Sequence, residues 1–370
     1  MAPPGKARRD HPALELVMVI AGSIAVLALI AVYAYGNGVP GVAMSLVLGL
    51  VPLAIVMAPV VWVDRWEPEP RLLLVAAFLW GGGAVMVAVL FDPLVGRAIG
   101  SVVAPGLDAL LQTMIFGAPV VEEFCKGLGV LLIFLVRRRQ FNGPVDGIVY
   151  ASVIAAAFAF VENITYFSTG QDLAVTFVVR GLLSPFVHLM CTACIGVALG
   201  LASRHRSTLA WLWTLPLGFL GAILLHGGWN GAAMFAGGPG GLGGLAAAVV
   251  FLNWVPLVIW AIIVVWLRNK ERRLIGERLS EYVPSGHLVL QEVAMLTSMQ
   301  GRRQARVWAT RGGPQALAAM KSFQKAAVNL AYARQDLYTG HTGIRARQDE
   351  MALLETIWRT RAQFTTALGV

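Results

Sequence analysis

The sequence predicts an all-α protein: a polytopic membrane helix bundle of about eight transmembrane helices, followed by a C-terminal helical cytoplasmic tail. Three observations carry that expectation. Hydrophobic residues make up 57% of the chain and charged residues only 13%, whereas a soluble domain carries about 25% charged residues. The mean hydropathy is correspondingly high, at +0.70. The charge is also uneven, because about half of it falls in the last hundred residues. The expected division is therefore a short cytoplasmic N-terminus over 1–13, a transmembrane domain over 14–267 and a basic tail over 268–370.

Apolar segments of about 20 residues, the length that crosses a bilayer, fall near 14–35, 41–63, 72–91, 109–136, 146–167, 181–202, 209–233 and 245–267. Basic residues cluster in alternate connections. They are Lys6, Arg8 and Arg9 before the first segment, Arg65 and Arg71 after the second, and Arg137, Arg138 and Arg139 after the fourth. Arg204 and Arg206 follow the sixth, and Arg268, Lys270, Arg272 and Arg273 the eighth. The remaining loops are nearly free of Lys and Arg, with Arg97 and Arg180 the exceptions. The positive-inside rule then places both termini in the cytoplasm. The first apolar run, at about 22 residues, exceeds the 7 to 15 of a signal-peptide core, so it reads as an uncleaved span.

Cys125, Cys191 and Cys194 all lie within predicted spans. That location favours small core residues over a disulfide framework or a structural zinc knuckle. In the tail, Leu288, Val289, Val293 and Leu296, then Met320, Phe323, Ala327 and Leu330, repeat at helical spacing. Gly312-Gly313-Pro314 and Gly340-His341-Thr342-Gly343 divide it into about three helices. Its basic excess suits either proximity to anionic lipid or a solvated helical hairpin, and it contains no nucleic-acid-binding module.

Ionisable side chains at bilayer depth cost roughly 2.5 to 3.5 kcal/mol each on insertion scales and mark functional positions. Here they form a short list. The fourth span holds Glu122, Glu123 and Lys126, the fifth Glu162 and Asn163, the sixth His188 and Thr192, and the seventh His226 and Asn230. At 1.5 Å rise per residue, Glu122, Glu162 and His188 each lie about 22 to 24 Å from the cytoplasmic anchor of their span, and His226 about 28 Å from its own. Four antiparallel spans thus bring polar residues to one level. Glu122 and Lys126, Glu162 and Tyr166, Ser184, His188 and Thr192, and His226 and Asn230 are all spaced i,i+4, so each set shares a face. Glycines such as Gly127, Gly129, Gly196 and Gly221 allow close helix approach around that level.

Peptide hydrolysis needs a base to activate water, an acid for the leaving amine and donors for the oxyanion. Glu122 or Glu123 fits the base, His226 and Asn230 fit the oxyanion donors, and His188 fits a ligand for water or a metal. Carboxylate with imidazole also suits Zn²⁺ with an open water position. No His-Glu-x-x-His motif is present, so spacing alone identifies no metal. For each group a simpler reading stands beside this one: an intrahelical Glu–Lys salt bridge, a core histidine, or interhelical hydrogen bonds from Asn163, Tyr166 and Thr192.

Glu122-Glu123-Phe-Cys-Lys126, Phe158-Ala-Phe-Val-Glu162-Asn163-Ile-Thr-Tyr166, Pro185-Phe-Val-His188 with Thr192, and His226-Gly-Gly-Trp-Asn230 together resemble the four motifs of the PrsW-type intramembrane proteases. The resemblance covers about residues 41 to 267 and preserves motif order on successive spans. It implies a metalloprotease-type endopeptidase of the bacterial plasma membrane, distantly similar to CAAX prenyl endopeptidases and bacteriocin-processing proteases. The paired glutamates would supply the base. His188, Glu162 and His226 would hold water or a Zn²⁺ ion, or no metal if the mechanism is glutamate-dependent. His226 with Asn230 would hold the oxyanion, supported by Lys126, Asn163, Tyr166 and Thr192. In the distant relatives a second histidine stands where this chain has Glu162. The implied substrate is a membrane-anchored protein, for example a regulatory protein such as an anti-sigma factor. Two competing readings remain from the residues alone: a transporter or channel, since intramembrane carboxylates also line ion pathways, and a pseudoenzyme that binds membrane proteins.

Overall fold

A computed structural model describes residues 12–169, 172–237, 241–339 and 344–369, and every regular element among them is helical. The first eight helical runs follow the eight predicted spans. They are α1 (Ala13–Asn37), α2 (Val39–Val63), α3 (Arg71–Val103), α4 (Ala109–Gln112) continuing into α5 (Ala118–Val136), and α6 (Pro144–Thr169). Next come α7 (Leu173–Thr176) leading to α8 (Val187–Ser203), α9 (Trp211–Gly237), and α10 (Gly241–Ala248) continuing into α11 (Val255–Ser280). Seven of the runs are long and apolar enough to cross a membrane. The eighth, through α5, is helical too but carries Glu122, Glu123 and Lys126 within one turn. Helices α1, α2, α9 and α11 expose Leu16, Ile24, Val47, Leu217, Leu224 and Ile262, the outward apolar surface that lipid requires.

Three boundaries differ from the expectation, the plainest being α11, which runs past 267 to Ser280. Helix α3 does not stop at 91 but continues through the half-buried Asp92 and Pro93 to Val103, because a single acid and a proline do not end a helix packed among neighbouring helices. The sixth span is not one helix over 181–202. A π-helical stretch, Phe177–Leu183, ends at Ser184, whose Oγ donates to the Val179 carbonyl at 2.7 Å. Pro185 then intervenes before α8 begins. Ser184 therefore does not share a helical face with His188. Two further π-helical stretches, Thr113–Gly117 and Val249–Trp254, precede α5 and α11.

The chain divides into two compact units. The first comprises the residues up to Trp62, Glu69–Gly200 and Trp211–Trp260; the second comprises Val63–Pro68, Leu201–Ala210 and Ala261–Val370. In the first unit α6 is buried along almost its whole length, so it forms the centre. Small residues let backbones touch there. A Cβ at Gly81 would stand 2.1 Å from the Ile154 carbonyl oxygen, and one at Gly147 only 2.0 Å from that of Gly196. Arg137 clamps Glu15 in a buried bidentate pair (2.8 and 2.5 Å) that joins α5 to α1, and Trp80 Nε1 donates to the Cys125 carbonyl at 3.0 Å, joining α3 to α5.

In the second unit the helices after α11 are α12 (Leu290–Leu296), α13 (Met299–Ala309), α14 (Gly313–Thr339) and α15 (Ile344–Leu368). That is one more than the three expected. The missed break falls at Thr297–Ser298, where the Ser298 hydroxyl caps α13 by accepting from Gly301 N at 3.2 Å. Breaks occur near Gly313 as expected, and the Gly340–Gly343 break lies outside the described residues. Leu288, Val293, Leu296, Met320, Phe323, Ala327 and Leu330 join Ile275, Leu279, Ile357 and Phe364 in one apolar core. Val289 does not join them; it is exposed, because it caps α12 rather than lying within it. Arg302 is buried, giving Nε to the Leu296 carbonyl and Nη1 to the Trp66 carbonyl, both at 2.7 Å. Burial lowers its guanidinium to about 10, which leaves it charged at neutral pH.

Candidate active site

Helix α5 begins after the π-helical turn, with Pro119 in its first turn, where a missing N–H costs nothing. One turn later it presents Glu122, Glu123 and Lys126. The Lys126 ammonium is fully buried and its three hydrogens have three acceptors. These are Glu123 Oε1 at 2.7 Å, Glu122 Oε2 at 3.2 Å and His188 Nδ1 at 3.2 Å. The ring of Phe158 lies 4.2 Å away, completing the cation's surroundings.

The two glutamates have different environments. Glu123 has no exposed surface, and it accepts from Lys126, from His226 Nδ1 at 3.1 Å and from Thr192 Oγ1 at 2.8 Å. Glu122 lines a cavity of about 520 Å³. Its Oε2 stands 3.8 Å from both His188 Nδ1 and His226 Nε2. The histidine rings meet edge to face, with centroids 5.0 Å apart.

Each imidazole is held by a carboxylate on the nitrogen that points away from Glu122. His188 Nε2 lies 3.0 Å from Glu162 Oε2, and His226 Nδ1 bonds Glu123. A neutral ring carries one N–H, and a carboxylate partner draws it to that side. The partners therefore assign lone pairs to His188 Nδ1 and His226 Nε2, both facing Glu122. Glu162 is itself fixed by Arg180, whose Nη2 lies 2.5 Å from Oε2. Arg180 Nε also donates to Asn163 Oδ1 at 3.0 Å, and its guanidinium stacks 3.9 Å above Tyr166. Asn230 lines the cavity and gives one Nδ2 hydrogen to the Met114 carbonyl at 2.9 Å. The second hydrogen of that NH₂ is left over.

Donor atoms of Glu122, Glu123, His188 and His226 all lie within 4.8 Å of one another and are buried. A Glu122 oxygen and the two imidazole nitrogens that face it, with His188 held from behind by Glu162 and His226 by Glu123, form a set that fits a zinc-type ion. Lys126 occupies part of the same acceptor set, so an ion there has to displace the ammonium. Glu162, expected among the ligands, stands on the far side of His188, and the glutamate pair of α5 takes its place in the group.

The sequence-derived residues thus converge from α5, α6, α8 and α9. Two charged cavity residues were not found that way. Asp92 on α3 lines the cavity, but the predicted span ended one residue short of it. Arg180, noted from sequence only as an exception among loops poor in basic residues, is bonded into the site. The signal for both was an isolated charge beside an apolar run.

Residues 69–266 match the family described as PrsW family intramembrane metalloprotease. The protein named Protease PrsW from Geobacillus kaustophilus is 31% identical over 166 residues, covering 44% of this chain and 68% of that relative. Its namesake from Clostridioides difficile is 29% identical over 188 residues, covering 49% and 75%. That from Oceanobacillus iheyensis is 27% identical over 183 residues, covering 49% and 79%. No solved structure matches the chain. The match spans more than half of the sequence and takes in every helix that contributes to the cavity, which favours the protease over the transporter reading: this multi-pass membrane chain belongs to the PrsW family of intramembrane metalloproteases.

Proposed function

We propose that this protein cleaves a membrane-anchored protein in the bacterial plasma membrane, with both its own termini cytoplasmic, and that Glu122 activates the attacking water. A regulatory protein such as an anti-sigma factor is the substrate class the family resemblance suggests. The observation that carries the proposal is the contrast within the glutamate pair: Glu122 faces the cavity between two oriented imidazoles, while Glu123 is saturated by three donors.

In this reading Glu122 takes a proton from water as the water oxygen bonds to the scissile carbonyl carbon. The second amide hydrogen of Asn230 donates to the resulting oxyanion. With its Nδ1 hydrogen given to Glu123, His226 meets the cavity as an acceptor at Nε2. It becomes a donor only after taking up from Glu122 the proton drawn from water, which it then delivers to the leaving nitrogen as the C–N bond breaks. Glu123, Thr192 and Lys126 position His226 and Glu122; Glu162, Arg180, Asn163 and Tyr166 position His188. In a metal-bound form, Glu122, His188 and His226 would hold a zinc-type ion, which would supply polarisation of water and carbonyl in place of the proton transfer through His226.

The test is cleavage of a single-span reporter by purified protein in liposomes. Glu122→Gln is expected to lower the rate at least about 100-fold, the scale of a lost general base, with unchanged elution on size exclusion. Full activity in that variant would remove Glu122 from the mechanism. Loss of wild-type cleavage in a chelator, restored by Zn²⁺, would assign the metal.

A further inference from the structure

Cations and carboxylates in the first unit's cavity do not balance. Lys126 is engaged by Glu122, Glu123 and His188, and Arg180 by Glu162 and Asn163. A further carboxylate, Asp92, lines the same cavity, and its Oδ1 is buried without a hydrogen-bond partner among the described residues. A second cavity group, Thr165 Oγ1, is likewise buried and unpartnered.

The two groups occupy facing helix stripes. Gly81 of α3 meets the backbone of Ile154 of α6, and Val85, Ala88, Phe158 and Val161 continue that contact in one buried cluster. Stepping on by the same three- and four-residue intervals, Asp92 and Thr165 come next on their respective helices. Asp92 is also held from another side: a Cβ at Gly117 would stand 2.1 Å from the Asp92 carbonyl oxygen. Its backbone is therefore wedged in place, and its side chain meets the cavity where no protein donor answers it.

Asp92 as a whole is half-buried, yet a carboxylate oxygen enclosed without a partner is costly. A peptide N–H would satisfy its hydrogen bond but leave its charge, whereas an ammonium or guanidinium answers both. We propose that Asp92, with the Thr165 hydroxyl beside it, binds a lysine or arginine side chain of the substrate next to the scissile bond and so determines specificity. This rests on the proteolytic reading of the cavity. It names a positively charged substrate residue as the element that completes the site.

The test uses the full-length protein in liposomes and single-span reporters that differ only at the residues flanking the cleavage site, which carry Lys, Gln or Glu. Wild type is expected to prefer Lys over Gln by at least about tenfold in kcat/KM, in line with coupling of close charge pairs. Asp92→Asn is expected to bring that ratio near one, and Asp92→Lys to favour the Glu reporter. An unchanged Lys preference in Asp92→Asn, or no preference in wild type, would overturn the proposal; the wild-type panel decides it even if the variants do not fold. Wild type that cuts no reporter at all would instead overturn the proteolytic reading, and the specificity proposal with it.

Discussion

The two units of this chain place their charges in opposite ways. In the second unit the core is largely apolar, built on Ile275, Leu279, Phe323, Leu330 and Phe364, and the buried Arg302 and Glu271 bond to backbone carbonyls and to Tyr332 rather than to each other. Its ion pairs, such as Arg334 with Glu281 and Arg361 with Glu292, both at 2.7 Å, are partly exposed. In the first unit the outward surface is apolar and the charges lie inside, with Lys126 and Glu123 wholly buried. Exposed pairs cost little to form and add little. A buried group of charges is expensive, and retaining one among lipid-facing helices indicates chemistry rather than stability.

Three substitutions would break or sharpen this contrast. The largest effect is expected for Lys126→Gln, which leaves two buried carboxylates without their cation and should destabilise the first unit by about 3 to 5 kcal/mol, read as the thermal midpoint in detergent. Zn²⁺ should raise that midpoint more in this variant than in wild type, because the ammonium no longer holds the same acceptors; no difference would argue that ion and lysine do not share a site. Phe323→Ala, at the apolar core of the second unit, should cost about 3 kcal/mol and appear as faster hydrogen exchange in α14. If exchange there stayed at the wild-type rate, that core would not be the stabilising element. The smallest effect is expected for Arg361→Ala, roughly 0.2 to 1 kcal/mol. A loss several times larger would mean the tail depends on its charges as the membrane unit does.

Much of the site was legible because helical spacing is a strong signal. Glu122 with Lys126, and His226 with Asn230, lie on shared faces of uninterrupted helices, so the i,i+4 rule located them correctly. Ser184 failed the same rule because the π-helical stretch and Pro185 interrupt the helix before His188. Asp92 was missed because counting apolar residues ended the span at the first charge, although α3 continues past it. Which carboxylate serves each imidazole could not be read from sequence at all. Glu162 and His188, or Glu123 and His226, are joined by tertiary packing across 26 and 103 positions. Glycine content marked close approach in general terms, yet a Cβ at Gly221 would meet nothing nearer than 3.6 Å, while Gly147, which was not singled out, touches Gly196 backbone to backbone.

That last contact gives α6 and α8 a mechanical property. Glu162 and His188 sit on the same two helices, about 22 Å and 12 Å along the axis from Gly147 and Gly196, respectively. The glycine crossing therefore sets the spacing of the two helices, the arms that carry the 3.0 Å bond between Glu162 and His188. A single methyl group at the crossing would spread the arms and turn the imidazole away from Glu122. The chemistry of the site would be intact, and its alignment would be lost from a distance.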